Sequence, residues 1–256
     1  MEARLLSWMQ PDRDELRRFL DEDWGGRDVT SEAVLRGDEQ GYAELMTREA
    51  CVLAGVEEAA ILFELSGARF VPVAKDGDRA AANTVVARVE GALAAVLKGE
   101  RVALNMVGRM SGIATVTRDL SDRARQKNPY CRIAATRKTT PGFRRYEKKA
   151  VVLGGGETHR MTLGEAVLIK DNHIAAAAKV EWVLIDNLPP SQAEELARLI
   201  KRASPKTRIE VSGGLRPENV EWYAPFADRL SLGWLTHSAR AVDVTLTVHA
   251  GSARKS

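Results

Sequence analysis

The spacing of apolar residues along the chain changes character near residue 130. Before that point the periods are mixed. Leu16, Phe19 and Leu20 fall at helical spacing and predict a helix over 12–21, with acids near its start to suit the helix dipole. Gly25 and Gly26 end it, and Asp28, Thr30 or Ser31 can cap the next turn. Alternation predicts strands at 42–47 and 51–54, then a helix over 57–65 that stops at Gly67. Strands at 69–74 and 85–90 follow, with a turn at 75–78 between them. Short turn-linked strands around one helix describe a small, sandwich-like α+β unit. It has the look of a carrier domain, but no lysine sits at a hairpin tip, so it reads as scaffold. Residues 91–125 are strongly helical, with Ala92, Ala95, Val96, Val102, Leu104 and Val107 as a buried stripe. Ser111-Gly112 predicts a break there and a second helix beyond it.

From Cys131 onward, short apolar runs alternate with helical stretches. Strands are expected at 133–135, 167–169, 182–185, 208–211 and 230–232, and helices at 143–153, 191–203 and 216–224. Such βα repetition makes a parallel sheet or barrel with right-handed crossovers. The expected fold class is therefore α/β: an N-terminal α+β domain at 1–104 and an incomplete, open parallel α/β barrel at 105–256. The strand ends read Lys170-Asp171-Asn172, Asp186-Asn187, Ser212-Gly213-Gly214 and Gly233-Trp234. Polar residues and glycines thus gather at the C-terminal ends, where ligands bind in such arrays.

Charge sharpens that picture. The whole chain carries only +3 with a pI near 8.9, which does not suggest a general nucleic-acid binder. Yet residues 132–149 hold seven basic residues against one acid, so the excess is local. Arg137 and Lys138 follow the apolar run Ile133-Ala134-Ala135, and Lys170 closes Val167-Leu168-Ile169. Cations delivered by strand ends to one concave face make a site for a polyanion. The few aromatics leave little for base stacking. Cys51 and Cys131 are far apart and in no metal spacing, which suits a reducing compartment. With no long apolar run and no signal-peptide pattern at the start, the expectation is a cytoplasmic protein away from membranes.

Taken in order, the motifs resemble those of the quinolinate phosphoribosyltransferases, the decarboxylating nicotinate-nucleotide pyrophosphorylases. They run G-G-R-D-V-T-S, V-L-A-G-V, D-G-D, G-E-R-V-A-L-N, R-M-S-G-I-A-T, T-R-K-T-T-P-G, G-G-G-E-T-H-R, L-I-K-D-N-H, L-I-D-N, E-V-S-G-G and S-L-G-W-L-T-H-S. The resemblance implies transfer of phosphoribosyl from phosphoribosyl pyrophosphate to quinolinate, with decarboxylation, in NAD biosynthesis. It places Arg137, Lys138, His159, Arg160 and Lys170 in an anion pocket and Asp186 beside ribose and Mg2+. Ser212, Gly213, Gly214 and Gly233 fall in the loops for the 5'-phosphate, and His237 joins the substrate-binding set. Lys138, Lys170 and Asp186 are the expected catalytic groups. Arg101 matches an arginine that reaches into a neighbouring subunit's site, which implies a homodimer or higher homo-oligomer.

The chemistry asks for these residue types independently. Quinolinate brings two carboxylates, which arginine grips in a two-point fork, and lysine serves phosphate as a point charge. Backbone amides at Gly213-Gly214 can cradle a phosphate. Alternatives are a paralogue using another acceptor, such as the molybdenum-operon relative of the family, and an inactive anion-binding homologue.

One departure stands out. Only residues 172–181 separate the strand ending near Lys170 from the one ending near Asp186, fewer than the dozen or so a parallel crossover needs. The family has a helix, a carboxylate-bearing strand and another helix there. The expectation is either a natural chain with further residues at this point, or a barrel open between Lys170 and Asp186 and lacking that carboxylate.

Overall fold

The computed structural model describes residues 8–37, 39–164 and 181–251. In chain order they form α1 (Arg13–Trp24), α2 (Val29–Val34), β1 (Gln40–Thr47), β2 (Cys51–Val52), α3 (Val56–Ser66), β3 (Arg69–Pro72), β4 (Arg79–Ala80) and β5 (Thr84–Ala92). Then come α4 (Leu93–Lys127), β6 (Arg132–Ala134), α5 (Arg144–Leu153), β7 (Trp182–Asp186), α6 (Pro190–Ala203), β8 (Arg208–Ser212), α7 (Val220–Tyr223), β9 (Arg229–Ser231), α8 (Trp234–His237) and β10 (Val244–Ala250). Two compact units divide them. One comprises the described residues within Met1–Thr115 and Arg240–Ser256, the other those within Val116–Ala239.

The first unit is built on an antiparallel sheet ordered β10-β1-β5-β3, beside a small β2-β4 pair. Along β1 every second residue from Gly41 to Thr47 is buried, so one face is covered and the other is not. Asp12 caps α1 by accepting the Asp14 and Glu15 amides, and Asp28 caps α2 by accepting those of Thr30 and Ser31. Gly67 closes α3 in the left-handed conformation, as expected from its position. The domain limits read from sequence differ from these units. The expected 104/105 boundary falls inside α4, and β10 returns to pair with β1 over Gly41–Thr47. The last residues therefore belong with the N-terminal unit.

The break expected at Ser111-Gly112 does not occur, because both residues are packing devices within one 35-residue helix. The buried Ser111 hydroxyl accepts the Ala54 amide at 3.0 Å and donates to the Ala54 carbonyl at 3.2 Å. Gly112 lets the helix backbone meet the chain at Arg240: a Cβ there would lie 2.0 Å from the Arg240 carbonyl oxygen. That neighbour is backbone and cannot swing aside. Gly112→Ala is therefore expected to lower the unfolding free energy by about 3 kcal/mol, the upper part of the overpacking range. Urea denaturation measures this, and an unchanged midpoint would show that the segment after Ala239 yields freely.

The second unit carries a parallel sheet ordered β6-β9-β8-β7, extended past β6 by a bridge from Ala134 to Glu157. Among the described residues this is an open arc of an α/β barrel, bounded by Glu157 and β7. Ile133, Ile185, Ile209, Val211 and Leu230 are buried and form its hydrophobic layer. The intervening positions Glu210, Arg229 and Ser231 bond to one another, so the opposite face of the arc is polar. The strand expected at 167–169 lies outside the described residues. The helix expected over 216–224 shrinks to α7. Asn219 accepts the Arg216 amide and donates to the Gly214 carbonyl, which folds the preceding residues as a loop. Among the described residues no helix is long and apolar enough to cross a membrane.

Candidate active site at the strand C-termini

At the end of β6 the chain turns through Thr136, whose hydroxyl accepts the Lys138 amide at 3.0 Å. Arg137 is half-buried, and its Nη1 is fully covered without a hydrogen-bond partner. A buried guanidinium nitrogen left unpaired costs free energy unless an acceptor arrives, so this is a group poised for an anion. Lys138 is exposed at its tip, while its stem lies against the turn after β9. A Cβ on Gly233 would stand 2.8 Å from Lys138 Cδ and 3.2 Å from His237 Nε2. The buried Thr236 hydroxyl donates to the Lys138 carbonyl at 2.7 Å. Lys138, Gly233 and His237 are thus brought together.

The loop after α5 is fastened from below. Lys148 and Lys149 are almost fully buried, so these cations do not belong to a solvated helix face. Lys148 Nζ donates to the carbonyls of Thr158 and Arg160, each at 2.6 Å. The buried carboxylate of Glu147 accepts the Thr140 amide at 3.0 Å and its hydroxyl at 3.1 Å. Arg144 donates to the Thr139 hydroxyl and the Met161 carbonyl, both at 2.9 Å, tying the two loops together. Between Thr158 and Arg160 stands His159, with a left-handed φ of 52°. Its Nδ1 accepts the Arg160 amide at 2.7 Å, and its Nε2 lies 3.1 Å from Glu210 Oε1.

Glu210 sits on β8 with 6% of its surface exposed. It also accepts the Ser231 hydroxyl at 2.5 Å and Arg229 Nη1 at 3.3 Å. Burial alone would raise its carboxyl. The hydrogen bonds from His159 and Ser231, with the charge of Arg229, outweigh that and hold it below the ordinary carboxylate range.

On the far side of the arc Asp186 ends β7, exposed, with Asn187 Nδ2 donating to its Oδ2 at 3.0 Å. Asn187 is left-handed at φ 58°, and its amide donates to the Ser212 carbonyl at 3.0 Å. That bond joins Asp186 to the Ser212-Gly213-Gly214 turn. Arg101 lies in the N-terminal unit, exposed on α4, its side chain without a hydrogen bond or salt bridge among the described residues. Lys170 lies outside the described residues. Both cysteines are buried, which pushes Cys51 up to about 11 and Cys131 up to about 12 and leaves neither as a ready nucleophile.

Sequence reasoning counted Lys148 among the cations of the basic stretch and Asn187 among the strand-end residues, gave neither a role of its own, and did not single out Glu147, Glu210 or Thr236. Glu210 and Thr236 lie inside quoted motifs, and the only further signal for Glu210 was its place between the apolar Ile209 and Val211.

The geometry defines an α/β protein whose parallel strands form an open, barrel-like arc with Arg137, Lys138 and Asp186 at strand C-termini. Residues 28–111 match the profile described as "Quinolinate phosphoribosyl transferase, N-terminal domain", and residues 113–182 and 175–247 match its C-terminal domain. The chain belongs to the quinolinate phosphoribosyl transferase family.

A probable carboxylating nicotinate-nucleotide pyrophosphorylase of Methanothermobacter thermautotrophicus is 34% identical, covering 92% of this chain and 98% of the relative. The Mycobacterium leprae protein of that name is 35% identical over 91% and 96%. The nicotinate-nucleotide pyrophosphorylase structure from Francisella tularensis superposes with a TM-score of 0.83 at 28% identity, covering 94% of this chain and 99% of that one. The two sequence alignments span 273 and 274 positions, longer than this 256-residue chain. Those relatives therefore carry residues with no counterpart here. The two C-terminal profile matches overlap at residues 175–182 of this chain.

Proposed function

We propose that the chain transfers phosphoribosyl from phosphoribosyl pyrophosphate to quinolinate, releasing pyrophosphate and CO2 and leaving nicotinate mononucleotide, as a step of NAD biosynthesis. The observation that carries this reading is Arg137: a covered, unpartnered guanidinium nitrogen at a strand C-terminus of a family member. The ring nitrogen of quinolinate forms a bond to C1' as the C1'–O bond to pyrophosphate breaks. The 2-carboxylate then leaves as CO2, its bonding pair held by the pyridinium, and C2 takes a proton from water. Arg137 and Arg160 hold the pyridine carboxylates, and Lys138 stabilises charge on the departing pyrophosphate, a role the resemblance also gives Lys170. The Ser212-Gly213-Gly214 and Gly233 turns hold the 5'-phosphate, with His237 at the edge of the second.

No group of three or more metal-ligating side chains occurs among the described residues. That suits Mg2+, which is commonly held by one or two carboxylates plus substrate phosphates. Asp186 fits such a role, because Asn187 occupies only its Oδ2. When bound, the ion neutralises charge on the pyrophosphate.

In this reading Arg101 completes the site of a second copy in a homodimer. Arg101→Ala is expected to raise the quinolinate KM about tenfold at unchanged thermal stability, because a charge-assisted contact is lost from a site rather than from the fold. The decisive assay supplies quinolinate, phosphoribosyl pyrophosphate and Mg2+ and looks for nicotinate mononucleotide. Product from nicotinate in place of quinolinate would mark a different acceptor, and no product from either would mark an inactive anion binder.

A further inference from the structure

The resemblance puts His159 among the groups that touch substrate, but its surroundings give it another job. A histidine can donate to a carboxylate only through a ring N–H that is not already used. Here Nδ1 accepts a backbone amide at 2.7 Å, so it carries no proton, and Nε2 is 3.1 Å from a buried carboxylate. Both nitrogens are spent inside the protein, in the neutral tautomer with hydrogen on Nε2. The backbone around the ring is held equally firmly. The left-handed φ of 52° is uncommon away from glycine, and the two flanking carbonyls, Thr158 and Arg160, share one buried ammonium from Lys148.

Glu210 in turn cannot drift. Ser231 holds the same oxygen that faces His159, and Arg229 holds the other. Arg229 is fixed by Glu157 at 2.8 Å and by stacking on the Trp182 ring, 3.9 Å from its centroid.

We propose that Glu210 and Lys148 are positioning residues that lock His159, and that His159 acts by fixing the backbone of Arg160 rather than by binding substrate. The chain of support runs from Trp182, Arg229 and Glu157 through Glu210 to the His159 ring and so to the Arg160 amide. Arg160 then presents its guanidinium to an anion from a backbone pinned at both its N–H and its C=O. The kinetic part of this inference rests on the proposed quinolinate reaction; the tautomer does not.

The test labels histidine with 15N in the full chain, which contains four histidines. The resonances lost in His159→Asn are those of His159. Asparagine suits that variant because it accepts left-handed backbone but cannot span to Glu210. The expected spectrum shows a neutral ring protonated at Nε2 alone, unchanged when quinolinate is added. Glu210→Gln is expected to weaken that state, because a neutral amide replaces a charged acceptor. Both variants are expected to raise the quinolinate KM about tenfold while the phosphoribosyl pyrophosphate KM stays within about twofold.

Appearance of a second ring N–H on quinolinate binding overturns the inference, as does a wild-type quinolinate KM in His159→Asn. If the wild-type protein does not turn over quinolinate, the proposed reaction fails. The spectrum then decides the lock alone, and a ring protonated at Nδ1 sinks it.

Discussion

Gly213→Ala is expected to raise the KM for phosphoribosyl pyrophosphate about a hundredfold while the protein stays folded. The residue has φ +84°, where an L side chain is strained by about 1–2 kcal/mol. A Cβ there would also lie 2.3 Å from Asn187 Oδ1 and 2.7 Å from the Asn187 backbone nitrogen. Relief requires the turn after β8 to move away from the end of β7, breaking the bond from the Asn187 amide to the Ser212 carbonyl. That bond holds Asp186 in step with the turn assigned to the 5'-phosphate. Strain and displacement together reach roughly 3 kcal/mol, about two decades in affinity. Adding Asn187→Ala removes the side-chain clash but not the backbone one, so the double variant is expected to stay impaired. Full recovery in the double variant would show that only the Asn187 side chain matters. Steady-state kinetics at saturating quinolinate, with circular dichroism for the fold, separate these outcomes.

What could be read from the chain alone follows from where each signal resides. The ends of β6, β7, β8 and β9 were legible because each strand is a short apolar run followed at once by polar residues or glycine, and neither feature depends on distant partners. The continuity of α4 was not legible. Ser111-Gly112 is a breaker by local propensity, and only its contacts with Ala54 and Arg240 turn it into a packing point. β10 was missed although Val244, Leu246 and Val248 alternate with Thr245 and Thr247, because its partner β1 lies about 200 residues away in the chain. The cations after β6 were legible as charge that follows an apolar run at once. The support beneath the site was not, since Lys148 counts with the other cations of the basic stretch and Glu210 reads as the polar member of an alternating strand. Their roles come from burial, which a βα repeat creates only after folding. The alternation of Ile209, Glu210 and Val211 also ran against the usual apolar filling of a barrel. Here the alternate positions Glu210 and Arg229 carry charge and bond to each other.

Arg137→Met is expected to abolish most activity and at the same time to make the free protein more stable. The two effects share one cause. Arg137 Nη1 is covered and has no hydrogen-bond partner, so the unliganded fold bears the desolvation of a cationic group, about 1–3 kcal/mol. Methionine fills similar length without a polar head and removes that cost. The unfolding free energy of the free protein should rise by about 1 kcal/mol, read from urea denaturation. With quinolinate the order reverses. Wild-type protein at a ligand concentration of about 100 times Kd gains roughly 2.7 kcal/mol, and the variant gains little. In turnover, losing a charge-assisted carboxylate contact lowers kcat/KM by about tenfold to a hundredfold. Arg137→Lys keeps the charge but not the planar fork, and it is expected to recover only a small part of that loss. A purely structural arginine would behave otherwise: Arg137→Met would lose stability and activity together, and added quinolinate would stabilise variant and wild type alike.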